Sequence, residues 1–377
     1  MLKINNNPFM SFKNILFFSI IFLLSFKLSA QDKPIKLGVI GLTHGHVHQI
    51  LGRKNVGDIK IVGIVEPNKD LAERYTKQHG YSMSIVFNTI ESMVKNTKPD
   101  AVAAFNSIYE HLEVVEVCAP LGIHVMVEKP LAVSLKHAKK MEKLAKKHNI
   151  HLLTNYETTW YPSNHKAKRL VESGKIGDLR KVVIRDGHRG PKKIGVNSEF
   201  LDWLIDPVLN GGGAIMDFGC YGANLITWLH DGKKPKTVTA VTQQQQPENN
   251  PKVDDEAIII LTYNKSNAII QPSWNWPIGR KDMEIYGLDG VIYADNRDNI
   301  HIKPADNNTS FKEEGFNLEN RKAPFNDPFA LFAAVINKEI VLKPFNLSSL
   351  ENNMIVVEIL EAARKSAKTN RTIKLKP

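Results

Sequence analysis

Cysteine is scarce in this chain, with only Cys118 and Cys220 among 377 residues. Each sits in an apolar helical pattern, away from any metal-ligand spacing, so two buried thiols are expected in place of a zinc module or a disulfide framework. Long hydrophobic runs are also missing, with one exception at residues 15–26. As a helix this run would reach only about 18 Å, short of a bilayer core of roughly 30 Å. Lys13 precedes it and Lys27-Leu-Ser-Ala30 follows it, which is the pattern of an export signal cut after Ala30. Nothing before Met10 contributes to that pattern.

No cysteine follows the run and no Arg-Arg pair precedes it, which argues against a lipid anchor and against export of a folded, cofactor-loaded chain. The expected location is periplasmic or secreted, with no stable membrane span once the signal is cut. An uncleaved tether is the lesser alternative, raised by Leu28 at the third position before the cut.

A basic arm is absent as well. The formal charge is +11, and +8 without residues 1–30, but Lys and Arg are spread over helices and loops with no aromatic-interleaved stripe. Nucleic acid is therefore not an expected partner, although the balance suits an acidic sugar. The sequence has no internal repeats.

What is present is alternation. Strand-like runs at 35–40, 59–65, 83–86, 101–105, 124–127 and 150–154 are separated by helical patterns at 46–53, 71–79, 90–95, 111–121 and 134–148. This is the order of a mostly parallel sheet covered on both faces, a dinucleotide-binding type of domain over residues 35–157. Beyond residue 158 the texture changes. A helix at 164–173 precedes strands at 179–185, 237–243, 257–263, 268–274 and 283–286, which read as an open, mostly antiparallel sheet. The fold class is thus α/β, a Rossmann domain followed by an α+β domain at 158–377 that ends in an amphipathic helix at 349–368.

Three stretches carry chemistry. The turn Gly38-Val-Ile-Gly41-Leu-Thr-His-Gly45-His46 sits where a dinucleotide fingerprint belongs. Gly41 fits the first glycine, Thr43 and His46 occupy the places of the other two, and Gly45 partly compensates. Glu66, at the end of the second strand, suits the ribose hydroxyls and repels a ribose phosphate, which favours NAD over NADP. His44 joins the turn; Asn106 and His111, after the fourth strand, are further cofactor candidates.

The second stretch is Gly122 to Pro130, a buried strand closing in Glu128-Lys129-Pro130. Lys129 can donate to, or exchange a proton with, a hydroxyl being oxidised, provided its pKa is lowered toward neutral. Glu128 orients the site or the cofactor. The third is Gly211-Gly-Gly-Ala-Ile-Met-Asp217-Phe-Gly-Cys-Tyr221-Gly-Ala-Asn224, where a helix beginning near Asp217 places Asp217, Tyr221 and Asn224 on one face. His44 and His48 share a helical face, His46 does not, and no partner acid is evident, so no metal site is expected.

These motifs resemble the Gfo/Idh/MocA oxidoreductase family, of the glucose-fructose oxidoreductase and inositol dehydrogenase type, over nearly all of residues 35–375. The resemblance implies that Lys129 contacts the reacting oxygen, that Asp217 is the family acid and that Tyr221 is the proton-transferring group. Asn224 stands where the family often has an acid and is a further substrate contact, while the local richness in aromatics offers Tyr156 and Trp160 for stacking on a sugar. The resemblance departs at Thr43 and His46 in the phosphate turn, and at Thr159, where an arginine is common in the family. The implied reaction is nicotinamide-dependent oxidation of a hydroxyl on a sugar, cyclitol or glycoside. The alternative is a glycosidase of the same family working by transient oxidation, elimination and re-reduction. A homodimer or homotetramer through the second sheet is expected.

Overall fold

A computed structural model describes residues 33–305 and 313–376; the export segment expected at 1–30 lies outside them. The first sheet contains six parallel strands in the order β3-β2-β1-β4-β5-β6. In chain order its elements are β1 (Ile35–Ile40), α1 (Val47–Leu51), β2 (Ile59–Val65), α2 (Lys69–His79), β3 (Val86–Phe87) and α3 (Ile90–Thr97). Then follow β4 (Ala101–Ala104), α4 (His111–Cys118), β5 (His124–Glu128), α5 (Leu135–His148) and β6 (Leu152–Asn155). The chain winds outward from β1 to β3, then returns to pair β4 with the other side of β1. That reversal opens a crevice beyond the carboxyl ends of β1 and β4, where an open α/β sheet binds its ligand.

Local chemistry sets these boundaries, as α5 shows. The Ser134 side chain accepts from the His137 backbone N–H at the start, and Asn149 ends the helix in a left-handed conformation with φ 52°. Between them Ala138, Met141 and Ala145 recur at helical spacing and are buried, while the lysines face outward. Cys118 and Cys220 are both free and buried, as expected.

The second sheet follows α6 (Pro162–Glu172) and begins with β7 (Leu179–Gly187). Next come α7 (Pro191–Ile194), α8 (Ser198–Leu204), α9 (Ala214–Asp217) and α10 (Gly219–Leu229), then β8 (Thr237–Gln243), β9 (Glu256–Thr262), β10 (Asn267–Ser273) and β11 (Arg280–Gly287). The chain continues through β12 (Gly290–Ala294), β13 (Asn299–Pro304), β14 (Glu314–Asn317), α11 (Pro328–Ile336), α12 (Leu350–Thr369) and β15 (Ile373–Lys374). The nine strands run β14-β13-β12-β11-β7-β10-β9-β8-β15, antiparallel except for the β7–β10 pair.

One face of this sheet packs under α10 and α12, with Val182, Ile184, Ile259, Leu261, Ile270, Met283 and Ile285 in a single apolar core. The opposite face leaves Val241, Ile258 and Ile260 exposed. The strands β12 to β14 and the helix α11 were not anticipated from the sequence. α11 returns to the first sheet, where Phe329, Phe332 and Ala333 join the core of Leu37, Val39 and Phe105. α12 also bridges the halves: the Glu361 carboxylate accepts from the Leu135 backbone N–H at 2.8 Å, and Arg364 donates to the carbonyl of Val133 at 2.8 Å.

Candidate active site

The three stretches converge on the crevice. Lys129 directly follows β5 and Asp217 ends α9, and the two form a buried ion pair through Nζ and Oδ1. The ammonium also donates to the Asp217 carbonyl at 3.2 Å, and the second carboxylate oxygen accepts from Trp274 Nε1 at 2.9 Å. The glycine run explains why Asp217 arrives there. A Cβ on Gly213 would strike the Asp254 carbonyl, and the Asp254 carboxylate accepts from the N–H groups of Gly213 and Ile215 at 2.9 and 2.7 Å. The chain then breaks at Phe218 between α9 and α10, so Asp217 and Tyr221 do not share one continuous helix as the sequence suggested.

Burial alone would strip the charge from Lys129, but Asp217 outweighs it and the ammonium titrates above the ordinary lysine range. Asp217, likewise opposed by burial, is held below the ordinary carboxylate range by Lys129. This corrects the expectation of a lysine tuned toward neutral: Asp217 holds Lys129 as a cation. Tyr221 is pushed well above the ordinary tyrosine range, first by burial and then by the charges of Glu157 and Asp217. It stays a neutral phenol.

Two cations approach the Tyr221 ring, Lys129 at 5.1 Å and Lys281 at 4.6 Å from its centroid. Lys281 is ion-paired to Glu157, which also accepts from Tyr161 Oη at 2.6 Å. A cavity of about 820 Å³ opens here, lined by Glu157, Tyr161, His188, Phe218, Lys281 and Arg297 among others. Lys281, Glu157 and Trp274 were missed in the sequence because each sits in an ordinary strand-end or loop context, with no motif to mark it.

Other expected contacts lie elsewhere. Asn224 is fully buried and its Nδ2 donates to the Leu347 carbonyl at 2.8 Å, tying α10 to the segment before α12. It shares α10 with Tyr221, but its amide is taken up by the Leu347 carbonyl and Asn353 and is not available to a substrate. Trp160 packs with Leu331 and Val335, and its Nε1 donates to Asn155 Oδ1 at 3.1 Å. Asn155 in turn donates to Glu128 at 2.8 Å, so Trp160 acts through Glu128's support. Tyr156 is buried edge-to-face on Tyr221 at 5.5 Å, and its hydroxyl has no partner among the described residues.

On the cofactor side, Gly41 has φ +75°, and a Cβ there would press on the backbone of Asn106. Gly45 has open space where its Cβ would be, as close approach by a pyrophosphate requires. The Glu66 carboxylate accepts from the N–H groups of Leu42 and Asn68, both at 2.9 Å, with lone pairs to spare for hydroxyls. Asn106 Oδ1 and His111 Nε2 are buried without partners among the described residues, and burial pushes the His111 imidazole down to about 4. Open space at Gly45 and these two unsatisfied atoms fit a dinucleotide.

Thr43 and His44 are covered from the second half. Trp203 Nε1 donates to Thr43 Oγ1 at 3.0 Å, and Phe200 packs on the His44 ring at 4.6 Å. The helix begins only at Val47, so His44 and His46 lie in the turn, where their donor atoms and that of Glu128 come within 4.8 Å of one another. The acid that the sequence reading lacked is therefore present. His46 Nδ1 lies 3.0 Å from Glu128 Oε2, while His48 pairs with His79 at 2.8 Å.

Residues 35–156 match the oxidoreductase family with an NAD-binding Rossmann fold, and residues 164–293 match the GFO/IDH/MocA C-terminal domain. The chain belongs to the GFO/IDH/MocA oxidoreductase family. A trans-1,2-dihydrobenzene-1,2-diol dehydrogenase of Xenopus tropicalis is 23% identical over 235 residues, covering 62% of this chain and 67% of that one. A D-xylose 1-dehydrogenase [NADP(+)] of Haloarcula marismortui is 24% identical over 241 residues, covering 62% and 65%. Among solved structures, an inositol dehydrogenase homolog complexed with NAD+ from Azotobacter vinelandii superposes with TM-score 0.78 at 14% identity, covering 91% of this chain and 98% of that one. As a member of the GFO/IDH/MocA family, this enzyme is an NAD(P)-dependent oxidoreductase.

Proposed function

We propose that this enzyme oxidises a hydroxyl of a sugar, cyclitol or glycoside, with NAD as its cofactor. The observation that carries the reading is the buried Lys129–Asp217 pair set against Tyr221 at the crevice of the parallel sheet. The nicotinamide, when bound, supplies the hydride acceptor. The 41–46 turn, Glu66, Asn106, His111 and Glu128 are the residues to hold the dinucleotide, and the Glu66 carboxylate favours two free ribose hydroxyls over a phosphate.

Lys129 meets the substrate oxygen as a cation and stabilises the negative charge that develops there. It passes a proton to Asp217 as it takes one from the hydroxyl, which leaves Asp217 protonated and the ammonium intact. Tyr221, held neutral, hydrogen-bonds the same oxygen and fixes its position. The named relatives support a hydroxyl substrate, since they are dehydrogenases of a diol and of D-xylose. Nothing in the site favours the elimination chemistry of the glycosidase alternative. Export through residues 1–30, and assembly of copies through the exposed face of the second sheet, complete the proposal.

The test is to mix the protein with NAD and a panel of D-glucose, D-xylose, myo-inositol and methyl glucosides, reading reduced-nicotinamide absorbance and the carbonyl product. Both should appear together with at least one compound. Absence of both across the panel, with NAD demonstrably bound, rejects the reading.

A further inference from the structure

We propose that Glu157, Lys281 and Asp186 form a second hydroxyl-reading subsite, so that the substrate is a ring polyol gripped at a hydroxyl other than the one oxidised. This deepens the function proposed above and rests on it. Lys281 and Glu157 both line the cavity beside Tyr221. They form an ion pair whose side chains are 19% and 36% exposed, against 7% for each partner of the Lys129–Asp217 pair. The Lys281–Glu157 pair is the more open of the two.

The positions suit two-point recognition. Lys129 and Lys281 approach the same Tyr221 ring, at 5.1 and 4.6 Å from its centroid, and Lys281 is also 6.0 Å from the Phe218 ring that lines the cavity. Lys281 offers donors, and Glu157 offers an acceptor fixed by Tyr161 Oη at 2.6 Å. A sugar or cyclitol hydroxyl is both donor and acceptor, so it can bridge such a pair without leaving a buried charge unpaired.

Asp186 is the independent observation. It stands directly across from Lys281 in the β7–β11 register, one residue before Gly187 and His188 of the cavity wall. Its side chain is 1% exposed, and its Oδ2 has no hydrogen-bond partner among the described residues. A buried carboxyl oxygen left open beside a ligand cavity is an exception to the general pairing of buried polar atoms, and a bound polyol satisfies it. The remaining walls, Phe218 and Tyr161, give a ring apolar surface to rest on.

The test is a deoxy series read by coupling. NAD reduction is followed with the best substrate of the panel and with each of its single-deoxy analogues, for wild type, Lys281→Met and Glu157→Gln. One deoxy position that remains oxidisable should raise KM about tenfold or more in wild type, the cost of a lost hydrogen bond to a charged group. In Lys281→Met that penalty should vanish, because KM on the parent rises to about the value of the deoxy compound. Glu157→Gln keeps an acceptor for Tyr161 and should blunt the penalty by less. A penalty undiminished in Lys281→Met, or an equal fall in kcat on every compound with normal unfolding temperature, overturns the subsite and leaves the oxidation intact. If wild type reduces NAD with no compound at all, the functional reading itself falls and takes the subsite with it.

Discussion

Lys129 and Asp217 stand 88 residues apart in the chain and meet as a buried ion pair, each holding the other's charge against burial. A lysine in this state cannot act as a free base. Its value to catalysis is as a fixed cation with a carboxylate behind it to receive the proton.

The pair predicts the behaviour of Asp217→Asn. Without the carboxylate, Glu128 is the acid left to oppose burial, so the pKa of Lys129 falls and the ammonium is lost at a lower pH than in wild type. The kcat profile should fall as pH rises, with its midpoint shifted acidward from the wild-type alkaline limb. An unshifted profile means that another group supplies the charge.

Tyr156 and Tyr221 separate the structural phenol from the reacting one. Tyr221→Phe should lower kcat about 10²-fold, the scale of one hydrogen-bond donor lost from the reacting oxygen. Tyr156→Phe removes a buried hydroxyl with no partner and should stabilise the fold by about 1 kcal/mol, read as a higher Tm with kcat unchanged. Reversal of the two effects would reassign the site.

Acid sensitivity follows from Glu157. Burial would raise its pKa, but Lys281 and Tyr161 bring it from 4.5 to about 2. A depressed carboxylate contributes stability above its ordinary pKa and loses it as pH falls through the folded value. Wild type should therefore lose Tm relative to Glu157→Gln as pH drops from about 4.5 toward about 2. Parallel Tm curves for the two proteins would contradict the ion pair.

Much of this architecture was legible in the sequence because the parallel sheet announces itself through short buried strands and periodic helices, as in α5 with its capped ends. Lys129, Asp217 and Tyr221 were found for a similar reason: each sits in a motif with glycine or proline punctuation. What escaped depends on long-range packing. α11 is apolar on nearly every side, so no polar face marked it as a helix. Lys281 and Glu157 meet across 124 residues, and no local pattern foretells that contact. Asn224 was misplaced because no local pattern foretells that the Leu347 carbonyl, 123 residues on, claims its amide, and the two histidines of the turn were read as helical before the helix begins.

The exposed face of the second sheet makes its own prediction. Ile258, Ile260 and Val241 are exposed on neighbouring strands, and a second copy over them removes that apolar surface from water. Sedimentation should show an oligomer for wild type and a monomer for an Ile258→Asp/Ile260→Asp double variant with unchanged far-ultraviolet circular dichroism. A monomeric wild type at micromolar concentration would contradict the assembly.

The central claim is that the Lys129 cation drives hydroxyl oxidation, and the most direct measurement is the rate of nicotinamide reduction in a single turnover by wild type and by Lys129→Met, both saturated with NAD and substrate. The rate should fall on the order of 10²–10³-fold, the cost of removing one preorganised charge from a developing oxyanion. Equal rates, with NAD bound by both proteins, would show that Lys129 is not the group that carries the chemistry.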